Sequence, residues 1–580
     1  MKRSPSVPNV GLLLAVGVLA LSAASAARAQ VVLAPAKPVI GSSNTISADP
    51  PVTRPSTKPC TVDLFTDMEF ANFNAQSFSY TPPTDCPGPW AKVVFTADFT
   101  VTAGTQYDRT EQFYLGGANL LYGTTPEPRS NLSPDWHVEN DVTDLSALLK
   151  TSQTGSAILG NYVGVYDGVD YDGIIYANAH LLFYPTDRSV PAAKVPDVVI
   201  GLPGNGGAAT LNATASQLTQ SVTLPTNVEE VYLDVISQSQ SNDEFWYLCV
   251  PNDVAGELES CGNTGFRETE VSIDGVPAGV APVYPWIYTG GIDYFLWEPI
   301  PGVQTLNFKP FRVNLTPFAG LLANGKAHTV ALSVFNADSY FLTTATLYAY
   351  TDKGATQVTG RVVRNTLAAA PTPVVTEKLA TDSSGDITGS VEVASTRNYS
   401  IVGAILTSHG EVTTEVEGKL SFANTQSFVL DATEYKQSLV QSTEGVIATT
   451  TTGNGIPTKD IKQISYPFTF LYDEIVNADG SITVVNNSDQ KFDEALAGDG
   501  QSGLGRPTLF GHQISNEVIS SNDLYYDASG NYTGNSGSSS QNYVEINSDG
   551  YCYSGSLTSK NLALTSYAYD AACKGGGNKK

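Results

Sequence analysis

Asp243 and Glu244 stand directly before Phe245, Trp246 and Tyr247 in the stretch SQSQSNDEFWYLCVPND (237–253). Acidic side chains beside a dense aromatic run are costly to bury and wasted on a plain surface. Similar groupings recur: YDR (107–109), WHVEND (136–141), FRE (266–268) and YPWIYTGGIDYFLWEPI (284–300). All five tryptophans, at 90, 136, 246, 286 and 297, lie in this half of the chain. Flat aromatics with Asp, Glu and Arg nearby suit a carbohydrate, because C–H faces pack on rings while hydroxyls bond charged groups. Two carboxylates tuned apart can run acid–base chemistry.

Other chemistries find less support. The five histidines (137, 180, 328, 409, 512) show no HxH or HExxH spacing, and the cysteines show no CxxC. Methionine occurs only at positions 1 and 68. A His/Met metal centre is therefore not expected. GLPGNGGAA (201–209) follows a strand pattern but lacks the Lys-Ser/Thr of a phosphate loop, and no GxSxG elbow occurs.

The elements that must position these groups read as β-structure. NVEEVYLDVISQ alternates cleanly, AKVVFTADFTVTAG does so in part, and EQFYLGGANLLYG reads as strand, Gly-Gly turn, strand. Helical signals are short: Thr143-Asp144 before LSALLK, and Thr316-Pro317 before FAGLLANG. These two segments belong to a longer correspondence. DVTDLSALL (141–149) matches NLTPFAGLL (314–322), and upstream DRTEQFYLGG (108–117) matches FRETEVSIDG (266–275). The same order in both copies predicts a duplication: an all-β chain of two tandem antiparallel jelly-roll or sandwich modules, 60–194 and 195–355, followed by a β-rich domain over 356–580. Within that domain, YDASGNYTGNSGSSSQN (526–542) reads as a loop by composition.

The ends bear on location. Residues 1–29 have a basic start, an apolar run and a small-x-small site at Ala27-Arg28-Ala29, the pattern of a secretory signal peptide. Residues 30–59 are rich in Pro, Ala, Ser and Thr and read as a poorly ordered linker. The six cysteines, Cys60, Cys86, Cys249, Cys261, Cys552 and Cys573, are an even set in a chain expected to be secreted or periplasmic. Pairing sequence neighbours is the simplest arrangement. A net charge of −26 argues against nucleic acid and anionic membranes as partners, and no run after the signal is long enough to span a bilayer.

The stretch from Cys60 to about Phe335 resembles the peptide-N4-(N-acetyl-β-glucosaminyl)asparagine amidase A family, the almond-type peptide N-glycanases. The resemblance rests on FTADFTVTAGTQYDRTEQFYLGGANLLYGTTPEPR, WHVENDVTDLSALL, NDEFWY, GFRETEVSIDG, PWIYTGGIDYFLWEPI and TPFAGLLANGKAHTVALSVF. It implies hydrolysis of the amide between asparagine and the first GlcNAc of an N-glycan, on glycopeptides or glycoproteins, at acidic pH and without metal or organic cofactor. The family is distantly similar to the F-type enzyme, whose essential residue is an Asp followed by Arg. That similarity implies Asp108 as the water-activating base and Glu244, with Asp243 close by, as the proton donor. It further implies Arg109 and Arg267 as clamps on the amide; a third acid has no clear counterpart, and WHVEND offers Glu139 for that place, while the aromatic runs offer Trp246 and Trp136 as platforms for the chitobiose. A Cys249–Cys261 bond would pin the loop after the carboxylates.

Three rivals share the architecture or the groups. A non-catalytic lectin on the same scaffold would bind glycopeptide and release nothing. A glycosidase would cut a sugar–sugar bond and leave asparagine intact. A two-jelly-roll copper monooxygenase lacks its histidine and methionine ligands here.

Overall fold

A computed structural model describes residues 30–31, 35–453, 455, 457–501, 507–547, 551–571 and 573 of the chain. The predicted signal peptide lies outside the described residues.

The first module holds eight main strands: β1 (Cys60–Phe70), β2 (Gln76–Tyr80), β3 (Trp90–Val101), β4 (Thr110–Leu115), β5 (Ala118–Thr124), β6 (Asp135–Asp141), β7 (Gln153–Leu159) and β8 (Ile175–Pro185). The second repeats them: β9 (Val198–Leu202), β10 (Leu218–Val222), β11 (Val228–Gln240), β12 (Glu268–Ile273), β13 (Val276–Pro282), β14 (Phe311–Asn314), β15 (His328–Phe335) and β16 (Tyr340–Thr351). The first module pairs as sheets β1-β8-β3-β6 and β2-β7-β4-β5. The second pairs as β9-β16-β11-β14 and β10-β15-β12-β13, the same order with eight added to each number. The short helical segments Thr143–Lys150 and Thr316–Leu322 occupy the same place, between the sixth and seventh strands of their modules. The duplication read from sequence is thus a duplication of topology.

The modules meet closely. A side chain at Gly201 would overlap the Gly117 carbonyl, so glycine is required there by backbone approach. Gln238 and Gln240 each donate from Nε2 to Thr110 Oγ1, at 2.9 and 3.1 Å. Phe308 N–H donates to the Tyr122 carbonyl at 2.7 Å, and the two rings stack 5.8 Å apart.

The described strands after the second module form one antiparallel sheet: β17 (Thr359–Asn365), β18 (Val374–Thr381), β19 (Ile387–Thr407), β20 (Gly410–Leu430), β21 (Glu434–Thr452), β22 (Thr458–Val476), β23 (Ile482–Gln501), β24 (Pro507–Tyr526), β25 (Tyr532–Asn547), β26 (Cys552–Lys560) and β27 (Ala563–Asp570). It meanders in sequence order from β19 to β27, with β17 and β18 end to end along β19. Alternate residues of β19 and β20 are buried, as a sheet covered on one face requires. Its apolar face, including Val393, Ile401, Phe422 and Phe468, joins the same core as the second module.

Two expectations are corrected here. Residues 526–542 are not a loop but the end of β24, a turn at Asp527–Gly530 and most of β25. The inward positions Ser539 and Gln541 are polar, so the pattern lacks the apolar alternation that announces a strand. The 30–59 segment is not a loose linker over its described part. Ala48 is fully buried, its N–H donates to Gln541 Oε1 at 2.6 Å, and its carbonyl accepts from Tyr553 at 2.8 Å. Arg54 is ion-paired to Glu139 at 2.6 Å. A polar, proline-rich strap can order when a neighbour satisfies its backbone groups. Cysteines pair as 60–86, 249–261 and 552–573.

Candidate active site at the junction of the two modules

Asp108 lies just before β4 and is partly accessible. Its Oδ2 accepts the Gly290 N–H of the second module at 2.9 Å, and its own N–H donates to Glu127 Oε2 at 3.3 Å. Glu127 lies three residues beyond β5. The two segments are tied: Arg109 N–H donates to Thr125 Oγ1 at 2.9 Å, and Thr125 N–H returns a bond to the Arg109 carbonyl at 2.8 Å. Thr289 Oγ1 then donates to the Thr125 carbonyl at 2.9 Å, joining the modules next to Gly290. A Cβ at Gly290 would fall on Glu127 Oε2 and close to Asp108 Oδ1, so both carboxylates crowd this glycine.

Glu244 follows β11 and completes the cluster. Burial, then the charges of Asp108 and Glu127, push its pKa up to about 8. Burial and the Asp108 charge push Glu127 up to about 7. Burial also raises Asp108, but the Gly290 N–H and the Arg109 charge oppose this. Asp108 and Glu127 each accept a backbone N–H, at 2.9 and 3.3 Å, and feel the Arg109 charge, whereas nothing offsets the burial of Glu244. The set is therefore graded: Asp108 is the group best kept ionised, and Glu244 the group best kept protonated. Among the described residues the Arg109 guanidinium makes only long bonds, 3.4 Å to the Asp108 carbonyl and 3.5 Å to Asn161 Oδ1, which leaves donor capacity for a ligand.

The loop carrying Gly290 explains why YTGGIDYFLWEPI is so particular. Trp297 Nε1 donates to the Gly291 carbonyl at 3.0 Å, and Asp293 caps the turn by accepting from Phe295 N–H at 3.0 Å. Arg129 grips Glu298 from the first module at 2.6 Å. The far sheet reaches in as well: Asn486 and Asn522 donate to Asp293 Oδ2 at 3.2 and 2.7 Å. Asn424 donates to the Tyr247 carbonyl at 2.8 Å, Gln426 to that of Cys249 at 2.9 Å, and Gln437 to that of Leu248 at 3.0 Å. Side-chain amides of the C-terminal sheet thus hold both the Gly290 loop and the loop after Glu244.

Several residues picked from sequence lie elsewhere. Asp243 and Arg267 form a buried pair, Nη2 to Oδ1 at 2.8 Å. The other Asp243 oxygen accepts the N–H groups of Asp338 and Ser339, both at 2.8 Å, and Arg267 Nη1 bonds the carbonyls of Asn263, Thr264 and Phe266. With their bonding used internally, they brace the Glu244 loop rather than face substrate. Trp246 is fully buried against Tyr247 and Phe422, and Trp136 is buried and stacked on Phe99 at 4.9 Å. Neither presents a face to a sugar. Glu139 binds Arg54 and His137; despite burial, those bonds hold its pKa down to about 2. The acid that completes the cluster is Glu127, which the reading of the residues did not single out. The Cys249–Cys261 bond does close the loop behind Glu244.

Among the described residues, Glu229, Asp352 and His409 bring potential metal-ligand atoms within 4.8 Å of one another. The Asp352 carboxylate already accepts from the Gly354 and Ser408 N–H groups and the Ser408 hydroxyl. None of the three belongs to the carboxylate cluster at the junction.

Residues 50–368 match the family model described as peptide N-acetyl-beta-D-glucosaminyl asparaginase amidase A. The chain belongs to this family. It is 28% identical over 542 residues to the peptide-N4-(N-acetyl-beta-glucosaminyl)asparagine amidase A of Prunus dulcis, covering 89% of this chain and 90% of that one. Among solved structures, PNGase F, a glycosylasparaginase from Flavobacterium meningosepticum, overlaps 51% of this chain and 96% of its own at 12% identity and a TM-score of 0.33. PNGF-II overlaps 51% of this chain and 66% of its own at 14% identity and a TM-score of 0.35. Among the described residues of this amidase A family member, no helix is long and apolar enough to cross a membrane.

Proposed function

We propose that this chain is an exported peptide N-glycanase that hydrolyses the amide between asparagine and the proximal GlcNAc of N-glycosylated peptides, with its optimum on the acid side of neutrality. Family membership supports the reaction class. The observation that carries the mechanism is the cluster of three partly accessible carboxyl groups with graded acidities, Asp108, Glu127 and Glu244, gathered from both modules around Gly290. The three disulfides suit an oxidising compartment.

Asp108, ionised, takes a proton from a water as its oxygen bonds to the amide carbon. Arg109 is placed to stabilise the negative charge that develops on the carbonyl oxygen. Glu244, protonated, gives its proton to the departing nitrogen as the C–N bond breaks. The peptide keeps an aspartate where asparagine stood. The released glycosylamine then hydrolyses in water to ammonia and a reducing glycan. Glu127 shares the cluster's charge: its ionisation raises Glu244 and so guards the donor proton.

The test is the mass of the peptide product. Asparagine converted to aspartate marks an amidase; unchanged asparagine with one GlcNAc attached marks a glycosidase; binding without product marks a lectin. Asp108→Asn should abolish release while glycopeptide binding survives.

A further inference from the structure

Beside the carboxylate cluster stands a feature that the reaction does not use. Tyr107 precedes Asp108, and its ring lies 5.8 Å from the Arg109 guanidinium. From it a series of rings leads away: Tyr107 to Tyr171 at 5.4 Å, Tyr171 to Tyr162 at 5.8 Å, and Tyr162 to Tyr166 at 6.2 Å, each pair near perpendicular. Tyr166 and Tyr171 sit on a two-stranded hairpin, Gly164–Tyr166 with Val169–Tyr171, which pairs with no other strand among the described residues. Its turn is Asp167-Gly168, with φ of +50° and +81°, the left-handed pair that a tight hairpin requires.

The hairpin is held at its base and open at its tip. Buried Asn161 donates to the carbonyls of Phe70 and Gly173 at 3.0 and 2.9 Å and accepts from Arg109 Nε. Asp172 Oδ1 accepts the Thr105 N–H at 2.8 Å. Tyr166 and Val165 are each 67% exposed and Tyr107 40%. Rings fixed in place but left in water contribute little to folding and fit a surface made to meet a ligand.

We propose that Tyr107, Tyr162, Tyr166 and Tyr171 form a distal subsite for uncharged sugar residues of the substrate's glycan, beyond the one joined to asparagine. This rests on the reaction proposed above. Ring faces meet sugar C–H faces, and phenol hydroxyls with the exposed carboxylates of Asp167, Asp170 and Asp172 offer polar partners. Residues 161–173 contain no lysine or arginine, and the chain carries a net charge of −26, so sialylated branches are repelled. The interleaved acids and hydroxyls favour a hydroxyl-rich ligand over an extended peptide.

The experiment compares two glycopeptides of one peptide sequence, bearing chitobiose alone or a neutral oligomannose glycan. In Tyr166→Ala the ratio of kcat/KM, long over short, should fall roughly three- to tenfold, the worth of one ring contact, and Tyr166→Trp should restore it. The sialylated counterpart should be a poorer substrate, and added salt should narrow the gap. An unaltered ratio in Tyr166→Ala overturns the proposal, as does an effect that follows peptide length instead of glycan length. If the natural chain cleaves neither glycopeptide, the amidase reading fails. The subsite is then judged by calorimetric titration with the free neutral oligosaccharide, whose binding Tyr166→Ala should weaken by the same factor.

Discussion

Gly290 of the second module donates its backbone N–H to Asp108 Oδ2 of the first at 2.9 Å. Through this bond the candidate base is set by a residue 182 positions away in sequence. Neither module alone holds the three carboxyl groups, so docking of the duplicated halves is what assembles the site.

Gly290→Ala tests that junction. Its Cβ would displace the Glu127 carboxylate and press on Asp108. The expected result is a fall in kcat/KM of about 100-fold, the scale of a 1 Å misplacement. Only side-chain ends need move, so Tm should shift by no more than roughly 2–4 °C. Parallel assays of turnover and thermal unfolding check this; near-natural turnover would remove Gly290 from the mechanism.

Asn522→Ala tests the reach of the C-terminal sheet. Asp293 is pushed up by burial and brought back by Asn522, the Phe295 N–H and Asn486. Losing the shorter amide bond, 2.7 Å, loosens the loop that presents Gly290. We expect kcat to drop about tenfold through misplaced donors, with a stability cost of ~1–2 kcal/mol. A variant that loses stability but keeps kcat would show that the sheet supports the fold and not the site.

The fold was legible where pattern is local. The matched segments at 108–117 and 266–275, and at 141–149 and 314–322, mark equivalent strands and helical turns in two modules of one topology. What stayed hidden depends on distant partners. Trp246 beside Glu244 reads as a sugar platform until Phe422, far along the chain, covers it. Arg267 aligns with Arg109, but Asp243 claims it in the second module. Glu127, between two prolines after a strand, offers no pattern of its own. Only the fold brings it to Asp108, while Glu139 draws attention from WHVEND and proves to be an ion-pair partner of the strap. The one usable signal for Glu127 was its place inside the TTPEPR segment shared with the family.

Glu111 carries a prediction about stability. It is fully buried on β4, and both carboxylate oxygens lack a hydrogen-bond partner among the described residues. Burial pushes its pKa well above the ordinary value of 4.5. The unfolded chain releases that proton near 4.5 while the folded chain holds it, so stability falls as pH rises through that value and beyond. Glu111→Met should therefore stabilise the protein by ~1–3 kcal/mol at neutral pH. The gain should shrink toward about pH 4, where both states hold the proton. Denaturant unfolding at several pH values checks the trend; a gain independent of pH would mean that packing, not ionisation, is at issue.

The pH–rate profile tests the grading of the carboxyl cluster. Asp108 must be ionised to take a proton from water, so kcat/KM should rise with pH through its value, which lies above 3.8. Glu244 must hold its proton, so kcat/KM should fall as pH passes about 8. Glu127, at about 7, ionises before Glu244 and delays that fall by its charge. Glu244→Gln keeps the shape but has no proton to give, and should lose about 100-fold or more at every pH. Glu127→Gln removes a negative neighbour of Glu244, so the alkaline limb should move toward acid. Glu127 still holds its proton where Asp108 ionises, so the acid limb should stay in place. A pH series of kcat/KM on one short glycopeptide, run on the natural chain and both variants, supplies the answer. A rate still climbing at about pH 9 in the natural chain would mean that no carboxylic acid donates the proton, and Glu244 would lose its role.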